Sequence, residues 1–297
     1  MRIDFIKVHG LGNDLILVDA VERPEVLAFP GWSSLASAWC ARHTGIGADG
    51  VLLLGPGRGG ADYTLRIINA DGSEAGMCGN GLRCVARHLA EERGAGEGWR
   101  TVRTCSTLVR TRAIRSSEGF DTATVELGVP SARPDQVPVL APDALRVELP
   151  SDVRRAWADW WSLAGADPAI ACVSVGNPHA VVFVRQVDRV PLDLAGPELE
   201  RHPLFPEGTN VHFVEPRGPG SARVRSWERG AGMTQACGSG ACASVVAGVL
   251  RGVVARACDV ELPGGMLGVQ WDGESGRVSM TGAAVVVFRG NVGVPAR

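Results

Sequence analysis

Met77-Cys78-Gly79-Asn80-Gly81 and Ala236-Cys237-Gly238-Ser239-Gly240 are near-copies of one short context, and each precedes a helix-like run, Leu82 to Arg93 and Ala241 to Val254. The pattern predicts that each Cys-Gly-x-Gly turn opens a helix, with its thiol beside the positive end of the macrodipole. That placement lowers a thiol pKa from about 8.5 toward neutrality and makes a usable base. One cysteine behind a glycine turn is ordinarily a small buried apolar residue. The same context once in each half of the chain points instead to a matched acid–base pair.

Other landmarks recur at an offset of about 160 residues, too long for a solenoid period. His9-Gly10-Leu11-Gly12-Asn13-Asp14 precedes the strand-like Leu15 to Val18, as Ser174 to His179 precedes Ala180 to Val184. Ala48-Asp49-Gly50 leads into Val51 to Leu54, as Gly208-Thr209-Asn210 leads into Val211 to Val214. The apolar positions Leu82, Val85, Ala86 and Leu89 share one helix face, and Gly94 can end that helix. The run after Cys237 is apolar nearly all round, as expected of a helix enclosed by a sheet. The expected fold is α/β (α+β): two pseudo-symmetric lobes, each a mixed, largely antiparallel sheet wrapped around a central helix. The first lobe takes residues 1–118 plus 284–297, with Ala284 to Phe288 returning to it as a last strand. The second takes 119–283, the junction falling near Ser116-Ser117-Glu118-Gly119. Val153 to Leu163 reads as a local helix whose Trp157, Trp160 and Trp161 pack rather than stack on a ligand.

Composition excludes several classes. The 297 residues carry a net charge of −2, which leaves no electrostatic footprint for nucleic acid or an anionic membrane. No stretch approaches the ~20 apolar residues of a membrane span. The start alternates like a strand and lacks a secretory apolar region, so a cytoplasmic enzyme is expected. The eight cysteines form no Cys-x-x-Cys and no zinc-spaced cluster, so no metal is expected and the thiols read as reduced. Lys7 is the only lysine and lies in a strand-like run, a poor place for a pyridoxal Schiff base. No cofactor is expected.

Two thiols of this kind suit inversion of a stereocentre, in which a thiolate removes a proton from one face and a thiol delivers one to the other. An α-proton is weakly acidic, so the carbanion needs help. Two helix N-termini would give backbone N–H groups of Gly79, Asn80, Gly238 and Ser239 to the adjoining carboxylate. Asn13, Asn69, Asn177 and Asn210 each lie at a strand–turn boundary, where asparagine is commonly a turn former and here also a candidate ligand. Glu228-Arg229 offers one partner for an ammonium and one for a carboxylate. His179 could tune a thiol.

These motifs, over nearly the whole chain, resemble the diaminopimelate epimerases: His9 to Asp14, Asn69 to Glu74 running on to Cys84, Gly176 to His179, Gly208 to Val211, and Glu228 to Gly232 running on to Cys242. The resemblance implies a pyridoxal-independent isomerase interconverting L,L- and meso-diaminopimelate, in lysine and peptidoglycan precursor synthesis, with its site in a cleft between two lobes. It implies Cys78 and Cys237 as catalytic bases. Asn13, Asn69, Asn177, Asn210, Glu228 and Arg229 would bind substrate side chains, and Gly79, Asn80, Gly238 and Ser239 would be backbone donors. His179 and Glu228 would adjust the thiols, and Phe288 would lie at a homodimer contact. Gly50 stands where many relatives carry glutamine, and Met233 where glutamate is frequent. Proline and hydroxyproline racemases are the nearest alternative; they usually have histidine at the position of Asn80 and have no need of Glu228-Arg229. A phenazine-pathway isomerase would lack the cysteine pair. A redox sensor built on a reversible disulfide is the alternative from another class.

Overall fold

The computed structural model describes residues 2–117, 119–149 and 151–294. It divides into two compact units, Met1–Glu126 with Thr281–Arg297, and Leu127–Met280.

In the first unit, Arg2–Gly10 pairs antiparallel with Asn13–Asp19, which runs parallel to Gly50–Pro56. Gly50–Pro56 pairs antiparallel with Tyr63–Asn69, which takes up the two-residue strand Glu74–Ala75 and runs parallel to Arg100–Arg103. Arg100–Arg103 pairs antiparallel with Leu108–Ser116, and that strand with Gly119–Glu126. The first hairpin turns on Leu11 and Gly12, both at positive φ (55° and 81°). Two left-handed residues are what a tight two-residue hairpin with the sheet's own twist requires. Leu11 carries the strain of that conformation and buries its side chain in return. Helix α1 (Trp32–Cys40) sends Trp32, Leu35 and Trp39 into a core shared with Ile3, Phe5, Ile16 and Val18. Helix α2 (Gly79–Glu92) packs against the strands Leu108–Ser116, Gly119–Glu126, Arg2–Gly10 and Asn13–Asp19. The C-terminal strand Val285–Gly293 pairs antiparallel with Arg2–Gly10, the return expected from the sequence.

The second unit repeats the scheme pairing for pairing. Ala169–Ser174 is antiparallel to Pro178–Phe183, which is parallel to Asn210–Pro216, which is antiparallel to Ser221–Glu228. Ser221–Glu228 takes the two-residue Gly232–Met233 and runs parallel to Ala257–Leu262, itself antiparallel to Gly265–Trp271. Pro178–Phe183 is buried at every position, as a strand covered on both faces must be. Helices α3 (Ser151–Ala156), α4 (Ala158–Ala164) and α5 (Leu192–Glu200) send Val153, Ala164, Leu192, Ala195 and Leu199 into this unit's core, and α6 (Gly238–Leu250) packs against five of its strands. Mixed, mainly antiparallel sheets around α2 and α6 are the fold class read from the sequence.

Three boundaries differ from expectation. The expected junction at 118 falls on Glu118, outside the described residues. The next strand, Gly119–Glu126, hairpins back onto Leu108–Ser116 and packs on α2, so the division lies after Glu126. The single tryptophan helix is two. It breaks at Trp157, whose buried indole donates to Glu198 Oε2 on α5 at 2.6 Å. Helix α6 stops at Leu250 rather than Val254, because Gly252 (φ 70°) takes the left-handed position. Val253 N–H then bonds Gly248 O (2.7 Å) and Gly252 N–H bonds Val249 O (3.0 Å), the two bonds of a Schellman end.

Helix α6 approaches the sheet so closely that a Cβ on Gly240 would lie 2.2 Å from Cε1 of the fully buried His212. Gly240→Ala is expected to cost about 1–3 kcal/mol by overpacking, read as a lower urea midpoint with an unchanged slope. A midpoint equal to the parent's would contradict this packing.

Candidate active site

Cys78 is the N-cap of α2, with extended backbone (φ −142°, ψ 103°) and a sulfur that accepts the Gly81 N–H at 3.3 Å. Extended geometry is what an N-cap residue adopts while its side chain serves the first-turn donors. Gly79 and Asn80 follow it in the turn, where backbone N–H groups have no carbonyl four residues back within the helix. Gly81 lets the turn seat on the core: a Cβ there would lie 2.9 Å from Leu52 Cδ2. Cys237 is the N-cap of α6 in the same conformation (φ −102°, ψ 100°), followed by Gly238 and Ser239. The sequence expectation that both Cys-Gly-x-Gly turns open helices describes both units.

The two thiols have different surroundings. Cys78 is half-buried and lies 3.7 Å from Asn13 Oδ1, which accepts from the sulfur. Cys237 is 3% exposed and 3.7 Å from Ser239 Oγ. Burial pushes the Cys237 thiol well above the ordinary range, and the charge of Glu228 adds to it. The Gly240 N–H and Ser239 pull the other way and lose. The expected lowering toward neutrality is therefore overturned at Cys237: a helix terminus contributes at most about 2 kcal/mol, and desolvation of a fully buried thiolate exceeds it. Glu228 is raised as well, first by burial, while hydrogen bonds from Thr234 (2.6 Å) and Cys237 restrain it. The thiol donates and the carboxylate accepts.

The asparagines divide into groups. Asn13 donates its amide to Asp49 Oδ2 at 3.1 Å while its carbonyl meets Cys78. Asn80, buried, accepts from Arg83 Nη2 at 2.8 Å. Asn69 is exposed and donates to Ser73 Oγ at 2.9 Å, in the turn that precedes Cys78. Asn210, buried, donates to Pro178 O (2.8 Å) and accepts the Arg229 backbone N–H (3.1 Å), so it ties two strand ends together. The Arg229 guanidinium, on the surface, donates to Glu207 O at 2.7 Å rather than to its neighbour Glu228.

His179 does not meet a thiol through its ring nitrogens. Nε2 lies 2.9 Å from Asn177 Oδ1 and Nδ1 lies 2.8 Å from His212 Nε2; His212 Nδ1 in turn lies 2.8 Å from Ser226 Oγ. Both rings are fully buried, and burial drives both pKa values down, that of His212 to about 3. Two neutral imidazoles thus form a string from Ser226 to Asn177. His212 went unremarked in the sequence, although the period-2 alternation from Asn210 puts it on the same strand face. A second feature was also missed. Lys7, Asp14, Arg42 and Asp49 form a cluster of alternating charge, with Lys7 Nζ–Asp14 Oδ2 at 2.5 Å, Arg42–Asp14 at 2.8 Å and Arg42–Asp49 at 2.6 Å. Burial works to raise Asp14, but hydrogen bonds from Arg42 and Lys7 hold it well below the usual carboxylate range.

Gly50 is buried at the head of its strand, and a Cβ there would lie 2.7 Å from Ile68 O; the backbone, not only a missing glutamine, defines this position. Met233 is exposed. Among the described residues no group of three or more His, Cys, Asp or Glu could hold a metal ion, and no helix is long and apolar enough to cross a membrane.

Solved structures share this fold. A predicted epimerase from Pseudomonas aeruginosa superposes with a TM-score of 0.71 over 99% of this chain and 100% of that one, at 18% identity. A hydroxyproline epimerase from Agrobacterium vitis gives 0.66 over 98% and 91%, also at 18% identity. At 18% identity these likenesses are likenesses of fold. The family model described as diaminopimelate epimerase matches residues 5–121 and 171–287, one stretch from each half. The diaminopimelate epimerase of Microcystis aeruginosa is 45% identical over 98% of this chain and 99% of its own length, and that of Synechocystis sp. is 44% identical at the same coverage. This chain belongs to the diaminopimelate epimerase family.

The carboxylate of Glu228 helps hold the proton on Cys237, so Glu228→Gln should lower the pH midpoint of Cys237 alkylation by about one unit or more. Iodoacetamide labelling followed on the Cys237 peptide by mass spectrometry reads it. A midpoint that stays or rises would contradict the assignment.

Proposed function

We propose that this isomerase interconverts L,L- and meso-diaminopimelate by two-base proton transfer between Cys78, Cys237 and one α-carbon. The supporting observation is that each unit starts its enclosed helix with a cysteine N-cap followed by glycine. One sulfur would stand on each side of the α-carbon. The protonated state favoured at Cys237 suits the acid of the pair once Cys78 has given up its proton. Reversing the reaction exchanges their roles.

The α-carboxylate would lie between the two helix N-termini, taking N–H groups of Gly79, Asn80, Gly238 and Ser239. Each preorganised donor of this kind is worth roughly 3–4 kcal/mol of transition-state stabilisation, and several are needed to make so weak a carbon acid transfer its proton. Glycines keep that approach open to the carboxylate. Asn13, Asn69, Asn177 and Asn210 would hold the rest of the substrate, and Glu228 with Arg229 the distal amino-acid end. Glu228 would also set the proton affinity of Cys237. His179 would act on Asn177 instead of on a thiol, since both its ring nitrogens are engaged.

A homodimer would form along Val285–Gly293, where Val287 and Phe288 are exposed. Phe288 packs edge-on against Phe5, with ring centroids 6.0 Å apart. A cytoplasmic location fits a substrate of this kind.

Cys78→Ala and Cys237→Ala should each lower epimerisation by about a thousandfold or more, measured as α-proton exchange of L,L-diaminopimelate in deuterated water. Exchange of proline should be absent. Near-full activity in either variant, or exchange of proline alone, would overturn the two-base diaminopimelate reading.

A further inference from the structure

The sole lysine and the charged cluster around it have no part in the proton transfer, yet they end one hydrogen bond short of Cys78. Asp49 stands at the head of the strand Gly50–Pro56. Its backbone N–H bonds Asp14 O at 2.7 Å and its carbonyl accepts Ala70 N–H at 3.1 Å, so the main chain fixes where its carboxylate points. Oδ1 takes Arg42 Nη2 at 2.6 Å. Oδ2 takes both the Asp14 backbone N–H at 3.0 Å and the Asn13 side-chain amide at 3.1 Å. Arg42 is itself shared with Asp14, and Asp14 is held from the other side by Lys7, whose Nζ also donates to Gly47 O.

A carboxylate can only accept, so it settles which way the Asn13 amide faces. The N–H₂ turns to Asp49, and the carbonyl oxygen is left toward the Cys78 sulfur 3.7 Å away. We propose that Asp49 is a positioning residue for Cys78, acting through Asn13: by taking the Asn13 N–H it aims the Asn13 carbonyl at the sulfur, so that the thiol proton has an acceptor in the free protein. The charged cluster is the brace that keeps Asp49 in place. The inference rests on Cys78 being a proton carrier only for its consequence in turnover; the geometry stands without it.

The Gly81 N–H and the Asn13 carbonyl act on the sulfur's proton balance in opposite directions. The Gly81 N–H favours thiolate and the Asn13 carbonyl favours thiol. Asp49, Asp14, Arg42 and Lys7 are the charges linked to Asn13 by hydrogen bonds and ion pairs, and Arg83 on α2 bonds the neighbouring Asn80. On α2 itself the nearest thiol, Cys84, is almost fully buried, and burial pushes it up to about 12, so it stays protonated. Without the Asp49 charge the Asn13 amide is released to rotate and offer N–H to sulfur.

The test is the pH midpoint of iodoacetamide labelling at Cys78, read on its peptide in the ligand-free full chain, with Cys237 as internal reference. Asp49→Asn should lower the Cys78 midpoint by about one unit and leave that of Cys237 in place. Asn13→Ala, which leaves the cluster intact, should lower it by a similar amount. Combining the two should add nothing, because the second change acts through a side chain already gone. A full additive shift in the double variant would mean that Asp49 acts by its charge alone and would overturn the proposal. An unchanged midpoint in Asn13→Ala would overturn it independently, even if Asp49→Asn failed to fold. Should the midpoints move as expected while Cys78→Ala still turns over diaminopimelate, the positioning stands and the proton-carrier reading falls.

Discussion

Each unit depends on burying the start of a helix without leaving its first-turn donors unserved. Helix N-termini normally reach the surface, where water satisfies them. Here α2 and α6 begin inside their own sheets, and the chain meets the cost with a cysteine at the cap and glycine one and three places on. The sulfur of Cys78 takes the Gly81 N–H. The glycines remove the Cβ atoms that would strike Leu52 in one unit and His212 in the other. What is left is a small polar turn with N–H groups, a thiol and no bulk.

The duplication is close in the backbone and loose in the side chains. Six successive strand pairings repeat in order and in sense between the units, which places Cys78 and Cys237 equivalently within them. The groups around the thiols do not repeat. Cys78 is half-buried beside an amide braced by charges; Cys237 is buried beside a carboxylate. Where the first unit steadies Asn13 with Asp49, the second meets Asn177 with a string of two neutral histidines. In the proposed reaction the two thiols hold opposite protonation states at any moment, and unlike surroundings on a like scaffold serve that.

Much of this was legible in the sequence, for identifiable reasons. The cysteine–glycine turns and the periodicity after them gave the helices, and the offset between landmarks gave the repeated sheets. The end of α6 was misread because Val253 and Val254 prolong an apolar run past Gly252, the residue that terminates it. The break at Trp157 depends on a hydrogen bond to Glu198, 41 positions away. His179 was assigned to a thiol because its true partner, His212, meets it only through the parallel register of their two strands. The direction of the Cys237 shift was lost for the same kind of reason: a macrodipole can be read from a helix start, whereas burial depends on what the rest of the chain folds over it.

The central claim is that both sulfurs reach a single α-carbon. A crystal structure with a bound, unreactive analogue of diaminopimelate tests it most directly. The account predicts Cys78 Sγ against one face of that carbon and Cys237 Sγ against the other, with the carboxylate between the two helix starts. Both sulfurs on one face, or an analogue seated away from either helix, would contradict it.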